Sequence, residues 1–119
     1  LLRVRDFTTR TDTYTAEPKL LSSFPLDTSV RDEVMAGMRA AVTESAGVSR
    51  YMAGLPFAVA GKTGTAQTGA RTDNGLFVCC APASDPGIAV ATVIEKAGGG
   101  SYAALSAARI LEAYANKRG

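Results

Sequence analysis

Two apolar segments joined by a short turn constrain the fold of this chain more than any other feature of its sequence. The first runs from Gly75 to Ala81 and the second from Ile88 to Ile94, interrupted only by Thr92. The residues between them have the composition of a turn: Pro82-Ala83-Ser84-Asp85-Pro86-Gly87. Two such segments with a short connection predict an antiparallel hairpin. Their continuous apolar pattern predicts strands that are buried on both faces of a sheet.

A helix is predicted before this hairpin, over residues 30–45. Its apolar residues recur on one helical face: Val34, Met35, Met38, Ala41 and Val42. Favourable N-cap residues precede it: Asp27, Thr28 and Ser29. We expect Asp32 and Glu33 to place negative charge in its first turn. Gly47 is the predicted C-cap, and residues 48–56 are predicted to form a loop.

A second helix is predicted at the end of the chain, after a hinge at Gly98-Gly99-Gly100 and with Ser101 as its N-cap. Its apolar residues form two neighbouring stripes: Ala103, Ala107, Ile110 and Tyr114, then Ala104, Ala108, Leu111 and Ala115. Because most of these side chains are small, we expect the helix to pack closely against a sheet. Lys117 and Arg118 suit the negative end of its dipole.

The remaining segments complete an α+β arrangement. Residues 1–8 and 12–16 predict a short hairpin or two extended segments, and residues 18–25 are predicted to be irregular. A short strand at residues 57–60 leads into residues 61–67. This order of extended segments, helix, three strands and helix predicts an antiparallel sheet with flanking helices.

Composition excludes several functions. The net charge is +2 without a basic run of the kind that binds nucleic acid, and no apolar run approaches the roughly 20 residues needed to span a bilayer. The absence of histidine excludes Ser-His-Asp and Cys-His catalysis within these residues, and argues against a metal site. We expect Cys79 and Cys80 to be buried small hydrophobic residues rather than a disulfide.

The stretch that carries chemistry is Ala60-Gly61-Lys62-Thr63-Gly64-Thr65-Ala66-Gln67. A lysine follows a buried strand and is flanked by glycines, which let a substrate or another backbone approach closely. We expect Lys62, Thr63 and Thr65 to present an ammonium and two hydroxyls on one strand face, suited to a carboxylate or a hydroxyl nucleophile. Backbone N–H groups at the strand edge would suit an oxyanion.

Two alternatives exist for this stretch. Gly61-Lys62-Thr63 is similar to the end of a phosphate-binding loop, which requires a glycine five residues before Gly61 and a helix that begins at the lysine. Pro56 occupies the first of these positions, and the glycines after Lys62 disfavour a helix. The other alternative is a glycine-rich β-turn with an exposed lysine and no catalytic role.

The full stretch from Ala60 to Gln67 closely resembles the third active-site motif of penicillin-binding transpeptidases, in which K-T-G accompanies S-x-x-K and S-D-N. Phe77–Ala83 is similar to the strand that follows this motif, although Cys79-Cys80 replaces the usual Gly-Tyr. The resemblance covers essentially residues 1–119 and is closest to the monofunctional, class B type. It implies the C-terminal portion of a single transpeptidase domain with a β-lactamase/transpeptidase-like fold.

The resemblance implies roles for four residues of the motif. Lys62 would hold the active-site hydrogen-bond network and bind the substrate's carboxylate by charge. Thr63 and Thr65 would hydrogen-bond that carboxylate, and the Thr65 N–H would form half of the oxyanion hole. Gly64 would keep the strand clear for the substrate. Lys62 and Thr65 are thus the candidate catalytic residues; no metal or organic cofactor is implied.

The motifs that would supply a nucleophile are absent from this sequence. No serine is followed by lysine three residues later, and no S-x-N occurs. Because covalent acyl transfer needs a nucleophile and a base, we expect the 119-residue segment alone to be inactive. The sequence begins at Leu1 without an initiator methionine. We therefore expect a missing N-terminal part of the domain as a partner, and exposed hydrophobic surface without it.

The function implied by the resemblance is that of a peptidoglycan D,D-transpeptidase, which binds a stem peptide or a β-lactam and cross-links cell-wall peptides by serine acyl transfer. It would act at the extracytoplasmic face of the bacterial cytoplasmic membrane, tethered only through absent upstream sequence. One alternative is a β-lactam-sensing or pseudoenzyme domain of the same fold. Another is a serine β-lactamase, which the Thr65-Ala66-Gln67 continuation argues against through resemblance.

Overall fold

The computed structural model describes residues 3–17, 19–67, 69 and 72–117. Its architecture is α+β, with a three-stranded antiparallel sheet flanked by helices, as predicted. Some expectations lie outside the described residues, namely those that concern residues 1 and 2, Pro18, residues 68, 70 and 71, and Arg118.

The first elements are a small antiparallel hairpin of β1 (Arg3–Arg5) and β2 (Asp12–Thr15), which is the first of the two predicted alternatives. The Asp6 carboxylate closes its turn by accepting the N–H groups of Thr8 and Thr9 at 2.8 and 2.6 Å. This geometry is an Asx-turn, which explains why an aspartate follows β1 directly. After β2, the described residues up to the first helix have no regular structure.

The main sheet contains β3 (Ala60–Ala66), β4 (Asn74–Ala81) and β5 (Ile88–Ile94), in the order β3-β4-β5 with both pairs antiparallel. The bounds of β5 are those predicted, and β4 begins one residue earlier. The strand predicted at residues 57–60 instead begins at Ala60, where cross-strand pairing with Cys80 begins.

The prediction that β4 and β5 are buried on both faces of the sheet was wrong, because residues on one face are exposed. Phe77 and Cys79 are buried, whereas Val78 between them is 46% exposed. In β5, Val90 is buried and Val93 is 62% exposed. Side chains alternate across a strand, and the helix at the end of the chain packs against the face that carries Phe77, Cys79 and Val90. We call the opposite side of the three-stranded sheet, which presents Lys62, Val78 and Val93, the open face.

The first helix, α1 (Thr28–Thr43), confirms the predicted helix but begins two residues earlier. Its N-cap is Asp27, whose carboxylate accepts the Ser29 N–H at 2.8 Å. Because the helix begins at Thr28, Asp32 and Glu33 lie beyond its first turn, contrary to the prediction. The first turn therefore has no acidic side chain inside it, and the negative charge comes from the cap.

A second helix, α2 (Ala46–Met52), occupies most of the segment predicted to be a loop over residues 48–56. Gly47 lies inside this helix and is not the C-cap of α1. Val48 and Met52, one helical turn apart, are both buried in the core. A helix this short is unstable in isolation, so its burial accounts for its presence.

The last helix, α3 (Gly100–Asn116), has Gly99 rather than Ser101 as its N-cap. Its buried residues come from both predicted stripes: Ala103, Ala104, Ala107, Ala108 and Leu111. Small side chains let α3 lie close to β4 and β5, as expected. Phe77, Leu111 and Val48 are the largest fully buried side chains, so the core lies where the sheet, α3 and α2 meet.

Candidate functional site

The motif forms a strand at the edge of the sheet. Within the described residues β3 pairs with β4 alone, so its other edge has unpaired backbone groups. Lys62 pairs with Val78, and Thr65 pairs with Gly75 near the end of the strand. The alternative of a phosphate-binding loop does not hold, because the residues after the lysine continue as a strand rather than beginning a helix.

The side chains of the motif lie on two faces of β3. Thr63 pairs with the buried Phe77 on the side that faces α3, and Thr65 shares this side. Lys62 lies on the open face and is exposed. The expectation that Lys62, Thr63 and Thr65 share one face was therefore wrong, because strand side chains alternate and 62 differs in parity from 63 and 65. All three still border the unpaired edge of β3.

The Lys62 ammonium donates a hydrogen bond of 3.0 Å to the Thr63 carbonyl oxygen. Among the described residues it has no ion pair with a carboxylate. The exposed lysine reaches this carbonyl from solvent, which indicates that the carbonyl points away from β4. Backbone groups of every second residue point to the same edge of an antiparallel strand, so the Thr65 N–H points to the unpaired edge too.

The two inner glycines of the motif differ in their surroundings. A Cβ on Gly61 would lie 2.7 Å from the Phe77 ring and 2.9 Å from the Val78 carbonyl oxygen, so core packing requires glycine there. A Cβ on Gly64 would meet only the Leu76 Cβ, at 3.4 Å. The sequence had given no role to Gly61, because this contact arises from strand pairing and leaves no local signal.

The two cysteines are free thiols on opposite faces of β4. Burial, and in second place the charge of Cys80, raise the pKa of Cys79 to about 11. Burial also raises the pKa of Cys80. The expectation of two buried residues holds for Cys79, whereas Cys80 is half-buried. Both thiols stay protonated at neutral pH, so neither is an activated nucleophile.

None of the three described cavities is lined by Lys62, Thr63, Gly64 or Thr65, although one of about 270 Å³ reaches Val59, next to the motif. One of about 360 Å³ lies between α1 and the turn after β4, lined by residues that include Arg31, Arg39 and Asp85.

Within the described parts of the chain, no group of three or more metal-binding side chains is close enough to hold an ion. The same residues include no helix with the length and hydropathy needed to cross a membrane. The candidate site is therefore an open strand edge.

Comparison with protein-family models identifies the class of protein that this fold and strand define. Residues 3–114 match the penicillin binding protein transpeptidase domain. The match covers nearly the whole chain, and the chain belongs to this family. The family comprises D,D-transpeptidases, enzymes of peptidoglycan cross-linking in the bacterial envelope. A comparison with curated proteins found no match.

Solved structures with similar folds are penicillin-binding proteins. PBP2 of Pseudomonas aeruginosa, in complex with WCK 5153, has 33% identity and a TM-score of 0.72 over 83% of this chain and 23% of its own. The D,D-transpeptidase domain of a peptidoglycan glycosyltransferase from Eggerthella lenta has 26% identity and a TM-score of 0.70, over 99% of this chain and 27% of its own.

A third similar structure is penicillin-binding protein A from Mycobacterium tuberculosis, an imipenem acyl-enzyme complex. It has 22% identity and a TM-score of 0.69, over 89% of this chain and 23% of its own. At this identity the likeness concerns the fold. The chain spans about a quarter of the length of each of these three proteins.

Proposed function

We propose that residues 1–119 are the C-terminal portion of a single class B D,D-transpeptidase domain, and that β3 is its substrate-binding strand. The observation that carries this proposal is an exposed lysine at the unpaired edge of β3, in a chain of the transpeptidase family. The whole protein would bind a stem peptide or a β-lactam at the extracytoplasmic face of the membrane. Its upstream sequence would supply the membrane tether and the rest of the domain.

Lys62 is assigned to bind the substrate's carboxylate and to hold the hydrogen-bond network around the nucleophile. Its ammonium is exposed and donates to a backbone carbonyl, and no carboxylate of the described residues pairs with it. A cation without a nearby counter-ion is available to attract an incoming anion. Nearby residues supplied by the rest of the domain would lower the local dielectric and strengthen this attraction.

Thr65 is assigned to the oxyanion hole through its backbone N–H, which points to the unpaired edge. A preorganised N–H donor of this kind stabilises the negative oxygen that develops when a carbonyl is attacked. The hydroxyls of Thr63 and Thr65 are assigned to the substrate's carboxylate. They lie on the face of β3 opposite Lys62, so the carboxylate would be bound across the strand edge rather than over one face.

Gly64 is assigned to keep the open face of β3 clear for the substrate. The described packing does not require glycine at this position, since a Cβ would make a single contact at 3.4 Å. Because packing does not explain the glycine, we attribute it to close approach by a substrate.

The proposed reaction is serine acyl transfer. The serine oxygen adds to the carbonyl carbon of a D-Ala-D-Ala peptide, the C–N bond breaks, and the terminal D-alanine leaves as an amine that takes up a proton. An amine of a second peptide then attacks the same carbonyl carbon and forms a new amide bond, while the bond to the serine oxygen breaks and a proton from the amine restores the serine hydroxyl. The nucleophile would come from outside residues 1–119, because no serine here has the required lysine. The segment alone is therefore inactive.

The test is intact-mass spectrometry of the full-length protein after incubation with a penicillin, beside the isolated 119-residue chain. We expect an adduct on the full-length protein alone. Lys62→Ala should slow its formation by about 100-fold, the usual cost of losing one contact that stabilises the transition state. Lys19→Ala, which removes an exposed lysine far from the motif in sequence, should leave the rate unchanged.

Each other outcome has a definite meaning. An adduct on the isolated chain would overturn the claim that its nucleophile lies elsewhere. The absence of an adduct on the full-length protein would favour the pseudoenzyme alternative. Rapid hydrolysis of the adduct, with turnover of the penicillin, would favour the β-lactamase alternative. Equal rates for Lys62→Ala and Lys19→Ala would remove Lys62 from the site.

A further inference from the structure

The segment that joins β5 to α3 lies directly behind the motif strand. Gly100, the first residue of α3, is buried. A Cβ there would lie 2.6 Å from the Leu76 carbonyl oxygen, 2.8 Å from the Thr63 Cβ and 3.1 Å from the Gly64 carbonyl oxygen. The backbone of α3 therefore meets β3 and β4 with no side chain of its own between them. We call residues 96–100 the glycine junction.

A second close contact involves the cross-strand partner of Thr65. Gly75 pairs with Thr65, and a Cβ on Gly75 would collide with the carbonyl group of Gly99. The obstructing atoms belong to the backbone, so they cannot move aside unless α3 or β4 shifts. The glycine junction therefore contacts the Thr63–Thr65 segment in two ways. Gly100 lies directly against Thr63 and Gly64, and Gly99 lies against Gly75, the partner of Thr65 on β4.

Two hydrogen bonds fasten the glycine junction to the beginning of β4. The Lys96 N–H donates to the Asn74 side-chain oxygen at 3.0 Å, and the Gly98 N–H donates to the Asp73 carbonyl oxygen at 2.9 Å. Gly98 has a φ of 72°, a left-handed conformation that glycine adopts without steric cost. These anchors are separate from the Gly100 contact, so the junction is held at several points.

We propose that the glycine junction positions the Thr63–Thr65 segment, and so sets the rate at which the catalytic serine is acylated. This inference rests on the proposed function, since it takes the Thr65 N–H as an oxyanion donor. Such donors act at about 2.7–3.1 Å, and a misplacement of about 1 Å costs roughly 100-fold in rate. The apolar face of α3 is fixed in the core, so its first residue is a rigid support for the strand. Gly100 is the positioning residue that a side chain would disturb, whereas Gly99 contributes only its backbone carbonyl group.

The first test uses the full-length protein and compares Gly100→Ala with Gly99→Ala. The second change is a matched control, because a Cβ on Gly99 would meet nothing within 4 Å. Stopped-flow measurements with a fluorescent penicillin separate the dissociation constant of the noncovalent complex from the acylation rate constant. Gly100→Ala should lower the rate constant by about tenfold or more and change the dissociation constant by less than about threefold. Gly99→Ala should match wild type in both.

A second pair of variants decides the matter if Gly100→Ala does not fold, which thermal unfolding will show. Asn74→Ala removes the acceptor of the Lys96 N–H and adds no volume. It should lower the acylation rate constant by about threefold. Asn74→Asp keeps a side-chain oxygen at this position and should restore the rate. Rescue by the conservative change separates lost positioning from a general loss of structure.

The two proposals fail in different ways. If the wild-type protein forms no adduct, the proposed function fails and the inference fails with it. If wild type reacts but Gly100→Ala and Gly99→Ala acylate equally fast, the glycine junction has no positioning role. An Asn74→Ala protein that acylates at the wild-type rate, or an Asn74→Asp protein that does not recover, overturns the inference as well.

Discussion

At the scale of single residues, the two inner glycines of β3 occupy very different environments. Gly61 faces the core, where the Phe77 ring leaves no space for a Cβ. Gly64 faces away from the core, where a Cβ would have ordinary clearance. Packing therefore explains Gly61, whereas Gly64 has no packing reason and is available for its proposed role at the substrate. The sequence shows both simply as glycines that flank a Lys-Thr pair.

This difference predicts opposite results for two alanine substitutions in the full-length protein. Gly61→Ala should lower the free energy of unfolding by about 1–3 kcal/mol, the usual cost of overpacking. Gly64→Ala should change stability by less than about 0.5 kcal/mol, yet slow acylation by a penicillin by about tenfold. Denaturant unfolding and adduct formation measure the two effects. A stable Gly61→Ala protein, or a Gly64→Ala protein with the wild-type rate, would contradict this assignment.

At the scale of single elements, the beginning of α1 shows how a local interaction places a helix terminus. The Asp27 carboxylate accepts hydrogen bonds from the Ser29 N–H and hydroxyl at 2.8 and 2.7 Å. These bonds favour the ionised form and hold the pKa of Asp27 below its usual value. The folded state therefore binds this proton less readily than the unfolded state does. The stability that the cap contributes consequently depends on pH.

Asp27→Ala should destabilise the protein at neutral pH and have little effect in strong acid. Since the pKa of Asp27 is lowered on folding, its stabilisation is fully present above the unfolded value and is lost as pH falls through the folded value. Thermal unfolding from neutral pH to about pH 2, followed by circular dichroism, measures this. Asp27→Asn keeps a capping acceptor and should lose less stability at neutral pH. An equal loss from Asp27→Ala at both extremes of pH would contradict this.

At the scale of the whole molecule, the sheet has one covered face and one open face. The covered face packs against α3 and carries the core, with Phe77 as its largest side chain. The open face presents Val78 and Val93 together with the exposed Lys62. Exposed apolar surface next to a functional group is typical of a face that contacts another part of an assembly.

The isolated 119-residue chain should therefore self-associate and bind a hydrophobic dye such as anilinonaphthalene sulfonate. A double change, Val78→Thr with Val93→Thr, should reduce both effects because it makes the open face more polar. Val4→Thr is the matched control, since Val4 has similar exposure but lies in the separate β1–β2 hairpin. Light scattering and dye fluorescence measure the outcome. A monomeric wild-type chain that binds no dye would contradict this prediction.

Local patterns were enough to predict several elements correctly. The bounds of β5 follow from a run of apolar residues between turn signals, and the buried alanines of α3 follow from helical periodicity. The motif from Ala60 to Gln67 was found from residue order alone, and the family match confirms the family to which it pointed. In each case the signal lies within a few neighbouring residues.

The misplaced features depend on contacts between segments that are distant in the sequence. The short α2 exists because Val48 and Met52 reach the core, which no local propensity reports. The open face exists because α3 packs against the other side of the sheet, although apolar residues occupy both sides of β4 and β5. The close contact between Gly100 and Thr63 forms because the first residue of α3 packs against the sheet. Residue order thus predicts which groups carry the chemistry. Long-range packing decided on which face each group lies and which atoms surround it, because these are distances between parts of the chain that are far apart in sequence.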